Sequence, residues 1–207
     1  MLYKTEDCEY LYKSLKNGDF LGFYTKPWYY LFARLIALVT GNKLSHIAGV
    51  FDVKRKSGVL TFKLGEQTAS EGKVVKQYLI VKTGGSQYTA DSRFRNKHVD
   101  LYLLSNRKRI TKEQNEQIKE YWREVEDYGY NELAFTVNWF YKLFGDKTKV
   151  YDNNCSTAAR RSMAILGIRD NKFDDKVPNP TEFARFSYIK GITKISFKKK
   201  FNRTKKT

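Results

Sequence analysis

The feature that most constrains the fold is a run of three strand-like segments joined by short connections. The segments are HIAGVFDV (46–53), GVLTFKL (58–64) and KVVKQYLIV (73–81), and the stretches KRKSG and EQTASEG lie between them. All three are rich in β-branched and aromatic residues, which is typical of strands. Parallel strands need a crossover of a dozen or more residues, so these connections predict antiparallel neighbours.

Other segments flank this run on both sides. Two further strands are predicted at FLGFYT (20–25) and VDLYLL (99–104). Helices are predicted around Leu11 and Leu15, at 28–41, from the capping-box signature TKEQ at 111–114, at 131–145, from Cys155 to near Gly167, and at 179–186. A chain of 207 residues supports one domain. The order of elements predicts an α+β fold in which helices pack around a small antiparallel sheet.

The domain is expected to span residues 1–189, with a long loop insertion at 83–98. Residues 190–207 carry eight lysines and arginines and no acid, within a chain of net charge +17. This pattern predicts a basic C-terminal tail. Such a tail would attract a polyanion (anionic lipid, nucleic acid or a wall polymer), or it would simply be a solvated terminus.

The position of Cys155 suggests that it is a catalytic nucleophile. Asn153 and Asn154 are good N-cap residues, so Cys155 is expected in the first turn of a helix. There the helix dipole favours a thiolate, and free backbone N–H groups could stabilise an oxyanion. The alternative is that this cysteine fills space in the core, which is the usual role of a free cysteine.

A nucleophilic thiol needs a base, and the chain has only two histidines. His46 lies at the start of a predicted strand and His98 lies before another. His46 is preferred, because the edge of a sheet is where a strand start can meet a helix N-terminus. Glu66 and Glu71 flank the turn into the third strand, and Glu66 is the preferred partner to orient the imidazole. The alternative for both carboxylates is a solvated turn.

Several stretches together resemble one family. They are NGDFLGFYTKPWYYLFARLIALVTGNKLSHIAGVF, LGEQTASEGKVVKQYL, YDNNCSTAARRSMAILGI and NPTEFARF. In this order they are similar to the permuted NlpC/P60 papain-like proteins of the YiiX/YebB type, over roughly residues 17–188. The resemblance implies a circularly permuted papain-like core, with Cys155 as nucleophile, His46 as base and Glu66 as orienting residue. Thr157 departs from the family pattern, which commonly has an acid there.

The expected activity is therefore that of a cysteine hydrolase, an amidase or peptidase, with amides of peptidoglycan stem peptides as the leading substrate. The alternatives are a thiol acyltransferase or lipid esterase at an anionic membrane, and a non-catalytic structural or binding protein that holds a polyanion. No cofactor is expected, because the sequence has no HExxH, no cysteine cluster and no phosphate-binding glycine motif.

The sequence also bears on location. The first twenty residues include acids and lack the apolar core of a secretion signal. The apolar segment 28–41 is interrupted by Arg34 and is shorter than the roughly 20 residues that span a bilayer. We therefore expect a cytoplasmic protein, or one that a viral particle packages or delivers.

Overall fold

A computed structural model describes residues 2–3, 5–25, 44–67, 72–82, 85–88, 98–126, 155–168, 183–185 and 189–195. The strands are β1 (Leu2–Tyr3), β2 (Phe20–Thr25), β3 (His46–Lys56), β4 (Val59–Gln67), β5 (Gly72–Lys82), β6 (Gly85–Tyr88), β7 (Val99–Asn106) and β8 (Ile189–Ile195). The helices are α1 (Thr5–Ser14), α2 (Lys112–Glu126) and α3 (Cys155–Ile165). The helices predicted at 28–41 and 131–145, and most of the one at 179–186, lie outside the described residues.

The strands form one antiparallel sheet in the order β1-β6-β5-β4-β3-β2-β7-β8. The α+β class is thereby confirmed. The prediction of a small sheet was wrong, because eight strands are present in the described part of the chain alone. β1 and β6 have two and four residues, which is too short for an alternating pattern to be visible in the sequence.

The predicted domain limits also need correction. Residues 85–88, inside the predicted loop insertion at 83–98, form β6 and pair with β5. Residues 190–195, assigned to the basic tail, belong to β8 and pair with β7. Ile189 and Ile195 are buried at the two ends of β8, but the lysines between them made the segment resemble a polar tail. Any basic tail therefore begins no earlier than residue 196.

The sheet curls around α1. Leu11 and Leu15 pack in a cluster with residues of β2, β3, β4, β7 and β8. The Tyr10 hydroxyl lies 3.1 Å from Thr193 Oγ1 on β8, while α1 also contacts β5 and β6. In a flat sheet β5 and β8 would be about 24 Å apart, at roughly 4.8 Å per strand, whereas a ten-residue helix is about 15 Å long. The strands must therefore bend toward α1.

The outer face of the sheet carries α2 and α3. Trp122 of α2 packs with Phe51 of β3, with Ala158 of α3 and with Leu166, the residue after α3. The predicted capping box starts α2: the Thr111 N–H donates to Gln114 Oε1 at 2.9 Å, and the Gln114 N–H donates to Thr111 Oγ1 at 3.2 Å. The predicted stop after α3 is confirmed as well, since Gly167 has a φ of 69°.

The turn between α1 and β2 is tied to the sheet by a buried carboxylate. Asp19 Oδ2 accepts from the Lys16 N–H and Asp19 Oδ1 accepts from the Asn106 N–H, each at 2.9 Å. Burial raises the pKa of Asp19 to about 6, although the two backbone N–H donors oppose this shift. At neutral pH the folded protein therefore keeps the buried Asp19 carboxylate charged, which costs free energy but satisfies two backbone N–H groups.

Asp19→Asn is expected to lower the free energy of unfolding by about 1–3 kcal/mol at pH 7. The amide would place its NH2 group against one of the two backbone donors and leave that donor unsatisfied. Because the folded-state pKa of Asp19 lies above the ordinary value of 3.8, the wild type gains stability as the pH falls from 6 to about 4. Urea unfolding of both proteins at pH 7 and pH 5 measures this.

The wild type should therefore exceed the Asn variant by more at pH 5 than at pH 7. Equal stability of the two proteins at both pH values would contradict this account of the turn.

Candidate functional site

Cys155 is the first residue of α3, as the sequence predicts. Its exposed fraction is 8%, and α3 contacts both β3 and β4. The two asparagines expected to cap the helix lie outside the described residues. The position gives the thiol the first-turn environment in which a helix dipole stabilises negative charge.

His46 and Glu66 meet on two neighbouring strands. His46 is the first residue of β3 and Glu66 lies one residue before the end of β4. In an antiparallel pair the start of one strand lies beside the end of the other. The His46 Nε2 atom lies 2.8 Å from Glu66 Oε2, and the Glu66 side chain is completely buried. Glu66 was predicted to flank the turn into the third strand, with a solvated turn as the alternative; it belongs to β4 and pairs with Lys73 of β5.

The other side of the imidazole faces the thiol. His46 forms a side-chain hydrogen bond with Cys155. Because Nε2 is bound to Glu66, Nδ1 is the ring nitrogen left for this bond. The ring also packs against Phe23 of β2, with a centroid distance of 5.7 Å. The structure thus brings all three predicted site residues together in the order Glu66, His46, Cys155.

The surroundings of His46 favour its charged form. Burial, the largest influence, lowers its pKa, but a Cys155 thiolate and then Glu66 raise it by more, through charge and hydrogen bonds. The resulting pKa is about 9, against an ordinary 6.5. At neutral pH the imidazole is therefore protonated between two acids. The stabilisation that this charge gives the fold is complete below pH 6.5 and is lost as the pH rises through 9.

The other residues considered for the site are His98, Glu71 and Thr157. His98 lies in the turn before β7, and Glu71 lies outside the described residues. Thr157 is buried in α3, two residues after Cys155. The main influences on the pKa of His46 are burial, Cys155 and Glu66, and neither His98 nor Thr157 is among them.

The described residues contain no group of three histidine, cysteine or carboxylate side chains that could hold a metal ion. They also contain no helix with the length and apolar character needed to cross a membrane.

Comparison with known proteins adds no assignment. No protein-family model matches the chain, and no curated protein matches its sequence.

Proposed function

We propose that this protein is a cysteine hydrolase in which Cys155 is the nucleophile, His46 the general base and acid, and Glu66 the residue that orients His46. The observation that supports it best is the continuous hydrogen-bonded chain from Glu66 through His46 to Cys155. A thiol, a base within hydrogen-bond reach and a third group that orients the base form the usual arrangement of nucleophilic catalysis.

The buried carboxylate has a clear part in this arrangement. Glu66 fixes which imidazole nitrogen is directed at the thiol, and it offsets the cost of a buried positive charge. A space-filling cysteine needs neither a base nor an orienting acid. The three residues also follow the chain order His, acid, Cys of a permuted papain-like core, so we propose that core for the fold.

The reaction begins with attack of the Cys155 thiolate on the carbonyl carbon of an amide. Electrons move onto the carbonyl oxygen, and backbone N–H groups in the first turn of α3 are suited to stabilise that oxyanion. When the C–N bond breaks, protonated His46 gives its proton to the leaving amine and a thioester remains on Cys155. Neutral His46 then takes a proton from water, whose oxygen attacks the thioester. The acid product leaves, and the thiolate and the imidazolium are restored.

The leading substrate class is an amide in a peptide, with peptidoglycan stem peptides first. The same thiol could instead take an acyl group from lipid, and in this second hypothesis the lysines and arginines of residues 190–207 would bind an anionic membrane. In both hypotheses Cys155 is the nucleophile. They differ in the bond that is broken, which is a peptide amide in the first and the bond to a lipid acyl group in the second.

The test is a substrate panel with a matched pair of cysteine variants. Wild type, Cys155→Ser and Cys8→Ser are incubated with isolated stem peptides, with unstructured protein and with phosphatidylglycerol vesicles, and released amines and fatty acids are quantified. We expect amine release by wild type and Cys8→Ser, and a loss of at least about 1000-fold in Cys155→Ser, because the nucleophile is gone.

Each outcome decides between the readings. Fatty-acid release that depends on Cys155 would favour the lipid reading. Activity retained in full by Cys155→Ser would overturn the proposed nucleophile.

A further inference from the structure

The parts of the site belong to separate layers, because Cys155 is on α3 while His46 and Glu66 are on β3 and β4. Their relative position depends on what holds the helix against the sheet. One helix, α2, contacts β3, β4 and α3. Two consecutive residues of α2, Tyr121 and Trp122, contact α3 and the two strands.

The first contact is that of Trp122 with the two strands. Gly49 and Gly65 are directly opposite each other in the β3–β4 ladder. A methyl group at Gly65 would overlap the Trp122 indole, and one at Gly49 would lie 2.9 Å from Trp122 Cζ2. The indole therefore rests directly on the backbone of both strands, with an exposed fraction of 1%. Gly65 is the neighbour of Glu66, so this contact lies beside the acid of the site.

The second contact is that of Tyr121 with the helix of the cysteine. The Tyr121 hydroxyl donates to the Ala158 carbonyl at 2.9 Å, one helical turn after Cys155. The Ala158 carbonyl, in the first part of α3, thus accepts this bond in addition to the backbone bond of its own helix. The rings of Tyr121 and Trp122 pack edge to face, with centroids 5.2 Å apart. Tyr121 and Trp122 therefore pack together, and the pair contacts both the β3–β4 strands and α3.

A third contact fixes the direction of α3. Gln114, near the start of α2, donates from Nε2 to the Leu166 carbonyl at 3.4 Å, just after the end of α3. Because Tyr121 meets the beginning of α3 and Gln114 meets its end, the two helices run antiparallel. The Tyr121 bond is the one near the thiol.

We propose that Tyr121 is a positioning residue. While Trp122 packs on the Gly49–Gly65 pair, the Tyr121 hydroxyl holds the first turn of α3 at the distance from β3 that lets Cys155 form its hydrogen bond with His46. The proposal deepens the proposed function and rests on it. It assigns to Tyr121 an effect on thiol reactivity that a role in packing alone would not have.

The test compares two tyrosine variants that each lose one hydroxyl bond. Tyr121→Phe removes the bond to Ala158 and keeps the ring against Trp122. Tyr10→Phe removes the bond to Thr193, between α1 and β8, and serves as the matched control. Both are made in a Cys8→Ser background so that Cys155 is the only thiol. The rate of alkylation by iodoacetamide is measured from pH 5 to 10, and thermal unfolding is recorded for each protein.

We expect Tyr121→Phe to lower the alkylation rate at pH 6 by about fivefold, the size of one hydrogen bond, and to move the midpoint of the profile upward. Tyr10→Phe should leave the profile unchanged.

The outcomes separate this inference from the function on which it rests. If the wild-type thiol reacts at low pH and Tyr121→Phe has the same profile, the positioning role is overturned and the hydrolase proposal stands. If the wild-type thiol itself titrates as a free cysteine does, near pH 8.5, both are overturned.

Discussion

His46→Ala is expected to slow alkylation of Cys155 at pH 6 by roughly 30- to 100-fold. In the wild type the imidazolium lies beside the thiol and stabilises the thiolate, so the reactive form persists well below the pH at which an ordinary cysteine ionises. Without the imidazolium the thiol keeps the helix dipole but loses its cationic neighbour. The measurement is the second-order rate constant with iodoacetamide across the pH range, in the Cys8→Ser background.

The natural control is the other histidine. His98→Ala removes an imidazole of the same kind from the turn before β7 and should leave the profile unchanged. Glu66→Gln should cause a smaller loss than His46→Ala, because the imidazole remains but loses the charge that holds it protonated. Any hydrolysis by the wild type should fall as the pH rises through 9, where His46 loses its proton. Unchanged reactivity at pH 6 in His46→Ala would contradict the proposed pair.

Gly65→Ala is expected to cost about 3 kcal/mol or more of unfolding free energy, which for a domain of this size is a loss of roughly 6–12 °C in Tm. The added methyl group would overlap the indole of Trp122, which is buried between β4 and α3. Either the indole leaves its position or the helix moves away from the sheet. Thermal and urea unfolding measure the cost.

A second glycine in the same sheet isolates the cause. Gly191 of β8 has nothing within 4 Å of an added methyl group, so Gly191→Ala should be neutral or slightly stabilising. In a Trp122→Leu background, Gly65→Ala should cost less unfolding free energy than it does in the wild type, because the clash with the indole is relieved. Equal stability of Gly65→Ala and Gly191→Ala would refute the close contact.

Local patterns in the sequence were enough to place the elements that carry the site. The strand beginning at His46 and the helix beginning at Cys155 both follow from nearby residues, since alternation, turn residues and caps act over short distances. The capping box at Thr111 is of the same kind. These features are decided within a few positions along the chain.

Features that depend on distant residues were not visible in this way. The meeting of His46 with Cys155 spans more than a hundred positions and depends on the packing of α2. Gly65 inside a strand would ordinarily suggest a weak point, whereas its missing side chain makes room for Trp122. Tyr121 lies in the helix predicted from the capping box at 111–114, and no local signal distinguishes a hydroxyl that bonds to another helix. β8 was hidden because Lys190 and Lys194 masked the isoleucines at its two ends.

The separation of the site along the chain has a consequence for biosynthesis. His46 and Glu66 lie on adjoining strands and can meet as soon as that hairpin has emerged from the ribosome, whereas Cys155 follows 89 positions after Glu66. Contacts of such long range form late in folding. A nascent or partly folded chain would therefore carry an ordinary thiol, and the reactive form would arise only once α3 has docked on the finished sheet.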